Sequence, residues 1–118
     1  MAYEWINDYC LLKKGVNKDF KTEWNALRYS IGGKMFAMQG GDKIGKPIFT
    51  LKLAPELGDS LRREYSDIVP GYYMNKTHWN SLYLEGDVPD NIVRFMIDRS
   101  YEVVFNSLPK KIQKQITD

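Results

Sequence analysis

His78 is the one histidine of this 118-residue chain and Cys10 the one cysteine, so acid–base and nucleophilic chemistry have few places to reside. A neutral imidazole takes up a proton near physiological pH, which suits His78 to general-base work once a substrate and an orienting partner are in place. Cys10 offers a thiol, yet it falls in AYEWINDYCLLKKG, where Trp5, Ile6, Tyr9 and Cys10 share an apolar helical face. A packed thiol, and a histidine that hydrogen-bonds a turn or sheet edge, explain the pair better than catalysis does. Metal binding needs clustered ligands, and no second histidine or cysteine accompanies His78. No catalytic set, metal or cofactor is expected. A third candidate chemistry is electrostatic: SLPKKIQKQITD sets Lys110, Lys111 and Lys114 against a single aspartate, a local basic patch.

Whatever positions these groups is most simply one domain spanning residues 1–118, long enough to bury a sizeable core. The 43% apolar and 27% charged composition is that of a soluble globular chain. A net charge of +2 lies far from the positive field of an obvious nucleic-acid coat. The lone cysteine excludes an internal disulfide, a four-cysteine zinc site and a CxxC redox pair. No apolar run is long enough to span a membrane and no signal-peptide segment opens the chain, so the cytoplasm is the expected compartment.

Periodicity predicts a helix over residues 2–15, then a polar, irregular stretch VNKDFKTEWN anchored by Phe20 and Trp24. ALRYSI and KMFAMQ flank Gly32-Gly33 as a hairpin, with Met35, Ala37 and Gln39 on one side and Phe36 and Met38 on the other. GGDKIGKP is a longer loop leading to the strand PIFTLKL, in which one face is expected to be the more buried. APELGDSLRREY reads as a helix opened by Pro55. IVPGYYMNK turns into an extended piece, and WNSLYLEG is a further strand. Asp87 is the expected cap of a long helix with Pro89 in its first turn, running to about Leu108, where Pro109 opens a short terminal helix. The whole is an α+β domain: an antiparallel sheet packed against N-terminal and C-terminal helices.

The ordered set GGKMFAM, TLKLAPE, MNKTHWNSLYLEGDVPD and SYEVVFNSLPKK resembles the MmcQ/YjbR family, from about Tyr3 to Ile116. The resemblance implies a fold like that of CyaY and a predicted DNA-binding role through a double-wing motif. Carried over residue by residue, it points to Lys34 in GGKMF and Lys52 in TLKL. Asn75, Lys76, His78, Trp79 and Asn80 match the NKxHWN passage, and Ser100, Lys110 and Lys111 match the terminal pattern, with Lys114 beside them. It supplies no catalytic set. Nor does likeness to CyaY transfer iron chemistry, because the first helix lacks a dense acidic ridge.

Each of these residues also has a plain structural role open to it. Lys34 and Lys52 can solvate strand faces, Trp79 can anchor the core or its rim, and Asn75 and Asn80 can close backbone hydrogen bonds around a tight connection. Ser100 can bond to the preceding helical turn. Two other functions stay open: a protein-interaction or small-ligand module using the loop at Gly40 and Gly41, with Tyr72, Tyr73 and Trp79 as an exposed patch, and an enzyme joining His78 to Glu85 or Cys10. The expected core is Trp5, Ile6, Phe36, Leu51, Leu53, Leu61, Leu84, Val93, Met96, Ile97, Tyr101 and Val104. Met96→Ala should accordingly cost about 2 to 4 kcal/mol in chemical denaturation, and an unchanged midpoint would remove Met96 from that core.

Overall fold

Gly32 and Gly33 take φ values of +57° and +82°, the paired positive angles of a tight hairpin turn, and the rest of the sheet grows outward from that hairpin. The computed structural model describes residues 3–71 and 74–118. In chain order it holds α1 (Ile6–Leu11), β1 (Val16–Lys21), β2 (Ala26–Ile31), β3 (Lys34–Gly41), β4 (Pro47–Lys52), α2 (Pro55–Glu64), β5 (Ile68–Pro70), β6 (Trp79–Tyr83), α3 (Asp90–Ser107) and α4 (Lys110–Thr117). The strands form one antiparallel sheet in the order β1-β2-β3-β4-β6-β5. Helix α3 lies against β2, β3 and β4, and α1 against β1. The expected α+β layering is present.

Five local expectations need correction. Residues 16–21 are not irregular but form edge strand β1, and Thr22–Trp24 make a short 3-10 turn. Phe20 and Trp24 are not anchors: they are 53% and 50% exposed, Phe20 on a strand that is paired on one side only and held by backbone bonds, Trp24 in the turn that follows it. The first helix is confined to six residues, with Trp5 at its N-cap. At α3 the N-cap position is Pro89, and no side chain caps it; the Asp87 amide instead donates to the Asp67 carboxylate at 3.3 Å. In β4 both faces are buried, since Ile48 and Thr50 are as enclosed as Phe49 and Leu51.

The alternation expected in β3 fails for an instructive reason. Tyr29 pairs with Ala37, but Ser30 pairs with Met35, so Phe36 is an extra residue in the ladder, a β-bulge. It swings Phe36 onto the same core as Ala37, where its ring meets Tyr101 edge-on at 5.7 Å. Of the expected core, ten residues are buried, while Trp5 and Tyr101 are partly buried at its border.

The bulge leaves the Phe36 carbonyl and the Lys52 amide without ladder partners. Ser100 of α3 supplies both: its hydroxyl donates to the Phe36 carbonyl at 2.6 Å and accepts from the Lys52 amide at 3.1 Å. It does not turn back onto its own helix. Ser100→Ala removes both bonds at a fully buried position and should cost about 2 to 4 kcal/mol in urea denaturation. A loss under about 0.5 kcal/mol would show that water or relaxation replaces them.

Candidate nucleic-acid interface

Antiparallel register decides which residues can act together. Val16 lies opposite Ile31, Ile31 opposite Lys34, Leu51 opposite Asn80, Lys52 opposite Trp79 and Pro70 opposite Asn80. The start of β1, the Gly32–Gly33 turn, the start of β3, the end of β4 and the start of β6 therefore share one end of the sheet. That end carries Lys34, Lys52, Trp79 and the turn holding Asn75, Lys76 and His78. Across six strands it is about 24 Å wide. Helix α4 closes the same end, for a Cβ at Gly32 would lie 2.7 Å from Leu108 and 3.3 Å from Ile112.

Lys34, Lys110, Lys111 and Lys114 are exposed, and among the described residues none of them joins an ion pair. Lys52 is half-buried, its amide held by Ser100. Lys76 reaches back to the Gly71 carbonyl at 3.2 Å. Glu56, in the first turn of α2, also belongs to this end. Carboxylates gather at the other end, around the exit of β6 and the start of α3. Burial raises the Tyr3 phenol there, and the charges of Asp90, Asp67 and Asp87 raise it further.

Asn75 closes the β5–β6 connection: its side-chain oxygen accepts from the Thr77 amide at 2.8 Å, and its carbonyl accepts from the Trp79 amide at 2.9 Å. His78 works through its backbone, the carbonyl accepting from the Leu53 amide at 2.8 Å and extending the β4–β6 ladder. Trp79 is half-buried, with the Gly71 amide donating to its carbonyl at 2.8 Å. Asn80 is not at a surface rim. It is fully buried, with its oxygen accepting from the Arg62 guanidinium and its nitrogen donating to the His78 carbonyl at 3.3 Å. Gly58 permits this, since a Cβ there would come within 2.9 Å of that oxygen. Both termini of the amide are thus engaged within the fold.

Neither Glu85 nor Cys10 is brought beside His78. Glu85 follows β6 and His78 precedes it, which separates them by roughly 20 Å of strand. Cys10 sits in α1, beside β1 at the opposite edge of the sheet from β6. Among the described residues no three His, Cys, Asp or Glu side chains are disposed to hold a metal ion, and no helix is long and apolar enough to cross a membrane. Of the aromatic patch expected around Trp79, Tyr72 and Tyr73 lie outside the described residues.

Two features escaped sequence reading. The engagement of Asn80 by Arg62 had no signal, because the partners lie 18 residues apart and meet only when α2 docks on β6. The exposure of Trp24 had none either, since residue type points a tryptophan inward.

A family model described as YjbR matches residues 11–103. Protein YjbR of Escherichia coli strain K12 is 34% identical over 114 residues, covering 97% of this chain and 96% of that protein. Protein YyaQ of Bacillus subtilis strain 168 is 31% identical over 103 residues, covering 86% of this chain and 81% of that one. Among solved structures, Deinococcus radiodurans protein DR2400, described with the domain DUF419, superposes with a TM-score of 0.84 at 26% identity, over 95% of this chain and 85% of that one. A Pseudomonas syringae protein gives 0.70 at 27% identity, over 88% and 99%.

The thiol offers a direct check on the site's chemistry. Cys10 is fully buried, and loss of solvation pushes it up to about 12, against the opposing charge of Lys13. It should resist a thiol reagent in native buffer and react at once in urea; stoichiometric native labelling within minutes would reverse this. Because the folded value is the higher, the unfolded chain releases this proton first. Stability should therefore hold below the ordinary thiol value of 9.0 and fall as pH rises toward about 12. Burial of the Tyr29 phenol, raised to about 12 from 10.0, acts in the same direction.

Proposed function

This chain belongs to the YjbR family, and on that premise we propose that it binds DNA along the lysine-bearing end of its sheet. The observation that carries the reading is the cluster of exposed lysines at one end of the sheet. Four exposed lysines, without an ion pair among the described residues, accompany one set of strand ends, while Asp67, Asp87 and Asp90 accompany the other together with Lys43 and Lys46 of the β3–β4 loop. An anionic polymer is steered by such an arrangement even when net charge is small.

On this reading Lys110 and Lys111, in the first turn of α4, contact phosphate oxygens, and Lys34 and Lys52 fix the register of the backbone. A width of about 24 Å corresponds to roughly seven base pairs of duplex. Asn75 contributes a polar contact at the margin. The Gly32–Gly33 hairpin then serves as the wing nearest the nucleic acid, and the CyaY-like, double-wing description belongs to this proposal, as do a single domain over 1–118 and a cytoplasmic location.

Fluorescence anisotropy with duplex and single-stranded DNA over a salt series tests it. Replacing Lys110 and Lys111 with glutamine should weaken binding across unrelated sequences without unfolding the protein. The slope of log K against log salt should fall by about 1.8 for the two lost contacts. No binding to either DNA form at low salt, or binding unmoved by the double substitution, would sink the lysine surface.

A further inference from the structure

We infer that the sheet face opposite α3 carries a separate binding site, a cleft that accepts an uncharged, planar heteroaromatic ring. The cleft encloses about 630 Å³, within the size range of small-molecule sites. Ala26, Met38 and Ile48 form its base and are themselves almost wholly enclosed, so its accessible apolar surface comes chiefly from the half-exposed Trp24 and from Met74 at its border. Gly40 lies opposite Ile48 in the β3–β4 ladder and so points to the same face without contributing a side chain. A Cβ at Gly40 would sit 3.4 Å from the Ala26 Cβ, an ordinary contact. The missing side chain leaves room for a ligand rather than relieving a clash.

Charge narrows the ligand class. Among the described residues that line the cleft there is no lysine or arginine, although the chain has 17. Of the nearby cations, Lys46 lies 5.2 Å over the Tyr83 ring and Lys43 belongs to the same exposed rim loop, and neither is among the lining residues; the two beside Trp24 are already engaged. Lys21 pairs with Glu23 at 3.3 Å and lies 5.4 Å over the Trp24 ring, while Arg28 lies 5.7 Å over that ring and pairs with Asp19. A phosphate would find no cation among the described lining residues, which instead include the Glu23 carboxylate.

The rim carboxylate of Asp42 is engaged too, accepting from the Ile44 and Lys46 amides at 3.0 and 2.9 Å and from the Tyr83 hydroxyl at 3.3 Å. With Glu23 at the cleft paired to Lys21, what remains for recognition is stacking on the indole, two adaptable thioethers and the exposed Asn25 amide. That amide presents a donor and an acceptor, the complement of a heterocycle edge. A cation would add nothing to an indole that already faces two. The fit is to a neutral ring of nucleobase or indole size.

This site does not depend on the lysine end of the sheet, and the experiment keeps the two apart. Methionine-methyl 13C NMR reads it directly, with adenosine and indole as probes and AMP as the anionic counterpart. Adenosine and indole should move the Met38 and Met74 signals and leave Met35 and Met96 in place. Trp24→Ala should weaken adenosine by about tenfold, as loss of one stacking platform does. Gly40→Val should abolish the shifts by filling the floor; should that variant fail to fold, Trp24→Ala decides alone, because a half-exposed ring contributes little to the core. The glutamine substitutions at Lys110 and Lys111 should leave the shifts intact. Signals of Met38 and Met74 unmoved by both probes, shifts indifferent to Trp24→Ala, or AMP binding more tightly than adenosine would overturn the assignment.

Discussion

The hydroxyl of Ser100 joins helix to sheet where a β-bulge interrupts the ladder. Phe36 bulges out of the β2–β3 register, and past Ala37 the β3 and β4 strands no longer pair. A carbonyl on one strand and an amide on the next are left to be met from outside. A hydroxyl both donates and accepts, so one side chain serves the two groups, at 2.6 and 3.1 Å. An apolar residue would leave both buried without partners, at about 1 to 3 kcal/mol each. The bond also fixes where α3 lies along the strands, and hence where the chain emerges at Leu108 to start α4 beside the Gly32 turn.

A second junction does the same for the other half of the sheet. Asn80 is clamped by Arg62 from α2, across the space that Gly58 leaves open. This holds the start of β6 so that the His78 carbonyl continues the ladder with Leu53. The passage around the sole histidine is thus a structural seam, with backbone groups performing the work that its side chains suggest. Together the two junctions align the strand ends that bear the lysines. The gathering of these lysines follows from antiparallel topology: residues at alternate ends of neighbouring strands in sequence fall at one end in space.

The two faces of the sheet differ in kind. One is sealed by α1 and α3 around Phe36, Phe49 and Met96. The other bears a cleft between Trp24 and Met74, over Gly40, which has no side chain to fill it. Trp24 stays half-exposed beside that cleft, backed by Lys21 and Arg28 instead of by core atoms.

Local signals carried much of the fold. Gly32-Gly33 dictated a hairpin, since few other residues tolerate two successive positive φ angles, and the 3.6-residue spacing of Val93, Met96, Ile97, Ser100 and Val104 dictated the buried face of α3. Motif order pointed to the family and, through it, to the lysines. Strand β1 was hidden because an edge strand needs no apolar alternation, and the Phe36 bulge because alternation is blind to an inserted residue. Nor could spacing tell that Asn80 would be buried and Trp24 exposed. The chain by itself determined the elements with short-range periodicity or obligatory turn geometry. Tertiary structure decided which polar side chains answer unpaired backbone groups and which strand ends meet, because both depend on partners tens of residues away.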